Sequence, residues 1–135
     1  MDIAASLAGL GPFIAYLVAG LVAQAIFLAI YTAITPHPEL PLIRGGNAAA
    51  ALSLGGAVVG FTLPLASTIA HSVSFADFAV WAAIALVVQV AVYLLASLAL
   101  GGLSRRIADG NIAAGTTLAL ASLAIGILNA ACLTY

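Results

Sequence analysis

Apolar residues run through this chain in four long blocks, and polar positions collect in three short gaps between them. The most informative gap is Ile43-Arg44-Gly45-Gly46-Asn47. After it, Ala48-Ala49-Ala50 opens an apolar run about as long as one membrane crossing. The same event recurs as Ile107-Ala108-Asp109-Gly110-Asn111, followed by Ile112-Ala113-Ala114. Asn111 comes 64 residues after Asn47, so the chain reads as one helical hairpin written twice. Both asparagines suit an N-cap, because the side-chain oxygen can accept from the free N–H groups of a first helical turn.

The blocks predict four transmembrane helices. The first runs from about Pro12 to Ile34, roughly 34 Å long against a hydrocarbon core of about 30 Å. Pro12 suits a first turn, and residues 3–11, broken by Gly9 and Gly11, form a short lead-in. Tyr16 and Tyr31 lie toward its ends, as interfacial aromatics do. Pro36, Pro38 and Pro41 then predict an extended, stiff connection, completed by Leu42 to Asn47. The second span runs from Asn47 to about Ala70 and contains Gly55, Gly56, Gly60 and Pro64, which membrane helices tolerate. Pro64 removes the N–H that would serve the Gly60 carbonyl and predicts a kink. His71 to Asp77 is a short loop, so the second and third spans are antiparallel neighbours. Ser74 or Asp77 is placed to cap the third span, which ends near Leu100 at Gly101-Gly102-Leu103-Ser104-Arg105-Arg106. The fourth is expected to run from about Asn111 to Thr134, with no soluble tail expected at Tyr135. The expected fold is all-α integral membrane: a single domain of two tandem hairpins, about 12–70 and 77–134.

Composition agrees. Hydrophobic residues make up 65% of the chain and charged residues 5%, where a soluble domain carries about 25% charged residues. The solvent must be the lipid bilayer, and a net charge of −1 excludes a basic face for nucleic acid. The lone Cys132 allows no internal disulfide and no cysteine metal cluster. Met1 to Ala4 lacks the positive charge of a signal peptide, so the first span is expected to stay in the mature protein. Arg44, Arg105 and Arg106 all fall in the first and third loops, which the positive-inside rule places in the cytoplasm with both termini outside. Two copies with one orientation are related by an axis along the membrane normal.

Ala49, Ser53, Gly56, Gly60, Pro64 and Ser67 advance by three or four residues and share one helix face. Gly115, Ala119, Ser122, Gly126 and Asn129 do the same in the fourth span. Small residues let backbones approach, so spans two and four are expected to pack closely through Gly56, Gly60, Pro64, Gly115, Ser122 and Gly126. Gln24 and Gln89 sit mid-span in Leu-Val-Ala-Gln and Leu-Val-Val-Gln. With Asn129 they carry amides that lipid cannot satisfy, so they are expected to face protein. Interhelical adhesion and the lining of a polar path both remain open as roles. No Lys, Arg, Asp or Glu lies mid-span, which counts against a proton relay or ion-coupled carrier within one chain.

His37 and Glu39 lie two apart but lack the further ligands a metal needs, and a solvated loop is expected there. His71 and Asp77 share the other loop, where the expectation is a helix-end histidine. No nucleophile–base–acid set, phosphate loop or nucleotide fingerprint appears, so no catalytic residue, cofactor or metal is expected.

Tyr31-Thr32-Ala33-Ile34-Thr35-Pro36-His37-Pro38-Glu39, Leu42-Ile43-Arg44-Gly45-Gly46-Asn47-Ala48-Ala49-Ala50 and Gly60-Phe61-Thr62-Leu63-Pro64-Leu65-Ala66-Ser67 resemble the YjfL-like family. Trp81, Gln89 and Gly126-Ile127-Leu128-Asn129-Ala130-Ala131 extend the resemblance over nearly the whole chain. It implies four spans in a bacterial inner membrane, an unassigned activity and no catalytic residues to carry over. The expected function is a non-enzymatic membrane component that packs as a homo-oligomer or with a membrane-protein partner. The alternative is a small channel or transporter acting as an oligomer.

Overall fold

Among the described residues of the computed structural model, four helices are long and apolar enough to cross a membrane: Ile3–Ile34, Ala48–His71, Phe75–Ala99 and Ile112–Cys132. The structure describes residues 2–134; Met1 and Tyr135, assigned from sequence to the two chain ends, lie outside the described residues. The elements are α1 (Ile3–Ala8), α2 (Leu10–Ile34), α3 (Glu39–Arg44), α4 (Ala48–His71), α5 (Phe75–Ala99), α6 (Leu103–Ala108) and α7 (Ile112–Cys132). The architecture is that of an all-α membrane protein.

Three local expectations change. Residues 3–8 are helical, and Gly9 keeps right-handed helical backbone, so the first span begins at Ile3. The proline-rich connection closes into α3: Pro38 is its N-cap and Pro41 its third residue, where a helix does not yet need the missing N–H. The segment expected to end the third span likewise contains α6. Both short helices run into the same turn. Gly46 and Gly110 take positive φ of 88° and 82°, which glycine adopts without strain. Asn47 and Asn111 follow in extended backbone and cap α4 and α7, accepting from Ala50 N at 3.0 Å and Ala114 N at 3.2 Å. Asn47 also donates to the Ile107 and Ala108 carbonyls, at 2.9 and 3.1 Å, tying the start of α4 to the end of α6.

The centre is the pair α4 and α7, which run parallel with Ala49 beside Gly115, Gly60 beside Gly126 and Ser67 bonded to the Ala130 carbonyl. A Cβ on Gly115 would stand 2.5 Å from the Ala49 oxygen, and one on Gly60 2.6 Å from the Ser122 oxygen. At Gly56 and Gly126 it would overlap Ala119 and the Gly60 backbone. Gly126 packs against the Gly60 carbonyl, the one to which Pro64 offers no N–H. α4 remains helical through Pro64, which is buried. In lipid no hydrophobic driving force pushes helices together, so this close fit and its dispersion contacts carry the association. α5 lies against both α4 and α7, while α2 lies against α4 and α5, stacking Phe27 on Phe61 at 4.6 Å.

Adjacent glycines allow a controlled test. A methyl group added at Gly55 would meet nothing within 4 Å, so Gly55→Ala should leave thermal stability equal or raise it by about 0.5–1 kcal/mol, the usual gain of alanine over glycine in a helix. Gly56→Ala and Gly60→Ala should each lose about 1–3 kcal/mol through overpacking. Melting in detergent reads the difference, and equal melting of all three variants would contradict the seam.

Candidate functional site

The mid-membrane amides come first, because lipid makes them the costliest groups to misplace. Gln24 donates to the Val58 carbonyl at 3.4 Å and accepts from the Thr62 hydroxyl at 3.2 Å, linking α2 to α4. Gln89 donates to the Ser122 carbonyl at 3.2 Å, linking α5 to α7, and its Oε1 is buried without a hydrogen-bond partner. Asn129 returns a bond from α7 to the Ala85 carbonyl of α5 at 3.3 Å. Interhelical bonds of this kind average about 0.6 kcal/mol in membranes.

A second polar group gathers at the end of the bundle that carries Arg44, Arg105 and Arg106, all three exposed. Here the expectation of a solvated loop fails: His37 is 4% exposed and Glu39 3%. Thr35 ends α2, and the two flanking prolines turn outward while His37 and Glu39 alternate inward against the bundle. Glu39 becomes the first residue of α3, where its Oε1 accepts from the Thr35 hydroxyl and lies 3.6 Å from His37 Nε2. The other imidazole nitrogen, Nδ1, is 2.7 Å from the Ser104 hydroxyl of α6. Tyr93 of α5 lies on the same side of the bundle as Ser104. Tyr93 meets Tyr31 edge to face at 5.7 Å, and Tyr31 packs on Phe27. Tyr31 is therefore not an interfacial aromatic; it is 1% exposed, and its hydroxyl has no partner. Burial holds His37 below the ordinary histidine value of 6.5, partly offset by the Glu39 charge. A cleft of ≈ 280 Å³ borders the pair, with Thr32, Pro36 and Leu40 in its wall.

The opposite end is plainer. His71 is exposed, with Nδ1 against the Ser67 carbonyl at 2.9 Å. Asp77 accepts from Val73 N at 3.0 Å, and Ser74 caps α5. Both His71 and Asp77 thus finish helix ends. Sequence reasoning misses Tyr31, Thr35, Tyr93 and Ser104 as members of a polar cluster. The 31–35–39 spacing is the available signal, but the prolines speak for an open loop.

Residues 5–133 match the family model described as Domain of Unknown Function (DUF350). The chain belongs to this family. It is similar to the UPF0719 inner membrane protein YjfL of Escherichia coli (strain K12), with 43% identity over 123 residues, 91% of this chain and 93% of the relative. The protein of the same name from Escherichia coli O157:H7 matches equally, at 43% identity over 123 residues. The span and loop motifs point to this same family. No solved structure matches the chain.

The buried imidazole makes stability depend on pH. Its folded value lies below 6.5, so the unfolded chain binds more protons once pH falls under that value. Stability is whole above 6.5 and declines on acidification. Between pH ~8 and ~5 the melting temperature in detergent should fall, and fall less in His37→Gln. A His37→Gln variant with the full wild-type slope would remove His37 as the cause.

Proposed function

We propose that this chain is a non-enzymatic integral component of the bacterial inner membrane that acts by packing with further copies of itself or with a membrane partner. Two tandem hairpins related by an axis along the membrane normal form its frame. The observation that carries the reading is that Gln24, Gln89 and Asn129 each donate to a backbone carbonyl of a neighbouring helix in the same chain. The amides thereby hold the helices together rather than line a polar path. The peripheral first span, with only 11% of its most apolar window buried, leaves the largest face for a copy or partner. A small channel or transporter working as an oligomer is the second reading, and the partnerless Oε1 of Gln89 is what favours it.

Reconstitution separates the two. Purified protein in liposomes should pass a panel of ions and small solutes no faster than empty liposomes, and Gln24→Leu with Gln89→Leu should cost about 1 kcal/mol or less each. Flux that disappears in the folded double variant would establish the path and displace the packing role.

The orientation belongs to the same proposal, with Arg44 and Arg105 cytoplasmic and both termini outside. Single cysteines at Asp2, Arg44, Ser74 and Arg105 in a Cys132→Ser background test it. An impermeant thiol reagent added to intact cells should label the Asp2 and Ser74 positions and leave the arginine positions unlabelled. The reverse pattern would invert the topology.

A further inference from the structure

We propose that His37 and Glu39 form a proton-binding site, and that the one proton it takes from the aqueous phase reverses the hydrogen bond tying the first loop to α6. Nδ1 of His37 is 2.7 Å from the Ser104 hydroxyl, Nε2 lies 3.6 Å from Glu39 Oε1 and has no hydrogen-bond partner, and the Thr35 hydroxyl donates to the same carboxylate oxygen. With His37 neutral and its proton on Nε2, Ser104 donates to Nδ1 and Nε2–H faces Glu39.

Adding one proton makes Nδ1 a donor, so Ser104 must accept from it and turn its own proton elsewhere, while Nε2–H still faces the Glu39 carboxyl at 3.6 Å. The proton comes from water at the arginine-bearing end, where the bordering cleft reaches His37 and Glu39. No bond other than O–H and N–H is made or broken.

Among the described residues, the neighbours supply no buried counter-charge. α2 brings Tyr31, α5 brings Tyr93 and α6 brings Ser104, while Arg44 on α3 and Arg105 and Arg106 on α6 are exposed. α4 and α7 contribute no titratable side chain at this end, and Asp109 in the turn before α7 is exposed. Packing does not require an acid here. Leu103 begins α6 as Glu39 begins α3, ahead of the same Gly-Asn turn, and is 2% exposed. An apolar residue thus fills the matching position, and a buried uncompensated carboxyl needs another reason to be present.

Isotope-labelled histidine in the full chain, in lipid bilayers, tests this by nitrogen magnetic resonance. Only His37 and His71 contribute signals, and the exposed His71 is the internal reference. At pH ~8 the proton of His37 should be on Nε2, and toward pH ~5 Nδ1 should become protonated as well. Glu39→Gln should suppress that uptake. Ser104→Ala removes a single hydroxyl and should abolish the Nε2–H preference with the fold retained. A proton on Nδ1 throughout, or unchanged uptake in a folded Glu39→Gln protein, would overturn the proposal. The readout involves no transport or assembly, so it stands or falls apart from the packing function.

Discussion

Everything in this bundle depends on two backbones being allowed to touch. Between α4 and α7 the side chains are reduced to glycine, alanine and serine, so carbonyls and α-carbons meet directly. Lipid is as apolar as leucine, and helices of ordinary bulk would gain little by leaving it for one another. Close approach restores an advantage, because many short-range contacts form that loosely packed acyl chains cannot match. The seam also has a geometric consequence. Parallel α4 and α7 bring both Gly-Asn turns to one end, where Asn47 reaches across to α6 and His37 reaches Ser104. The polar assembly at that end is downstream of an apolar fit in the middle.

The same logic orders the amides. A glutamine within hydrocarbon must find its partner inside the protein, and a helix offers few spare carbonyl lone pairs except on a face where another helix already lies close. Gln89 uses Ser122, and a Cβ on Gly60 would stand 2.9 Å from its Nε2. Its amide therefore fits only because position 60 has no side chain. Gln24 sits in the looser contact of α2 with α4, where its nitrogen reaches the Val58 carbonyl and its oxygen shares, at 3.2 Å, a Thr62 hydroxyl proton that lies nearer the Val58 carbonyl at 2.7 Å. The comparable placement of the two glutamines hides a difference: the oxygen of one shares a donor and that of the other has none.

Much of this was legible in the sequence. Apolar block length marked the four spans, because hydrocarbon thickness admits few other lengths. The step of three or four between small residues marked the faces of α4 and α7 that meet. Gly-Asn marked the turns, since positive φ followed by an N-cap has few other spellings. What escaped was α3 with the buried acid and imidazole beside it. Three prolines argue for extended chain by their local effect, yet Pro41 falls within a first turn where a helix tolerates it. Charge argued for solvent in the same way. Whether Glu39 faces water depends on Tyr31, Tyr93 and Ser104, which come from three helices spread over much of the chain. No local window contains them together.

The two short helices carry the last step. α3 and α6 enter matching turns with matching dihedrals, so their backbones pose the same packing problem twice. The second is solved with Leu103 and Ile107, both buried, in the way lipid-adjacent protein usually solves it. The first is solved with Glu39 and a neighbouring imidazole. Removing a carboxyl from water costs several kcal/mol unless it is well paired, and apolar replacements of buried ionic groups are often neutral or stabilising. Stability therefore favours the α6 solution in both places. The acid in α3 persists against that preference, with the Thr35 hydroxyl donating to it and the His37 imidazole beside it. That combination suits a group whose charge is meant to change better than one meant only to pack.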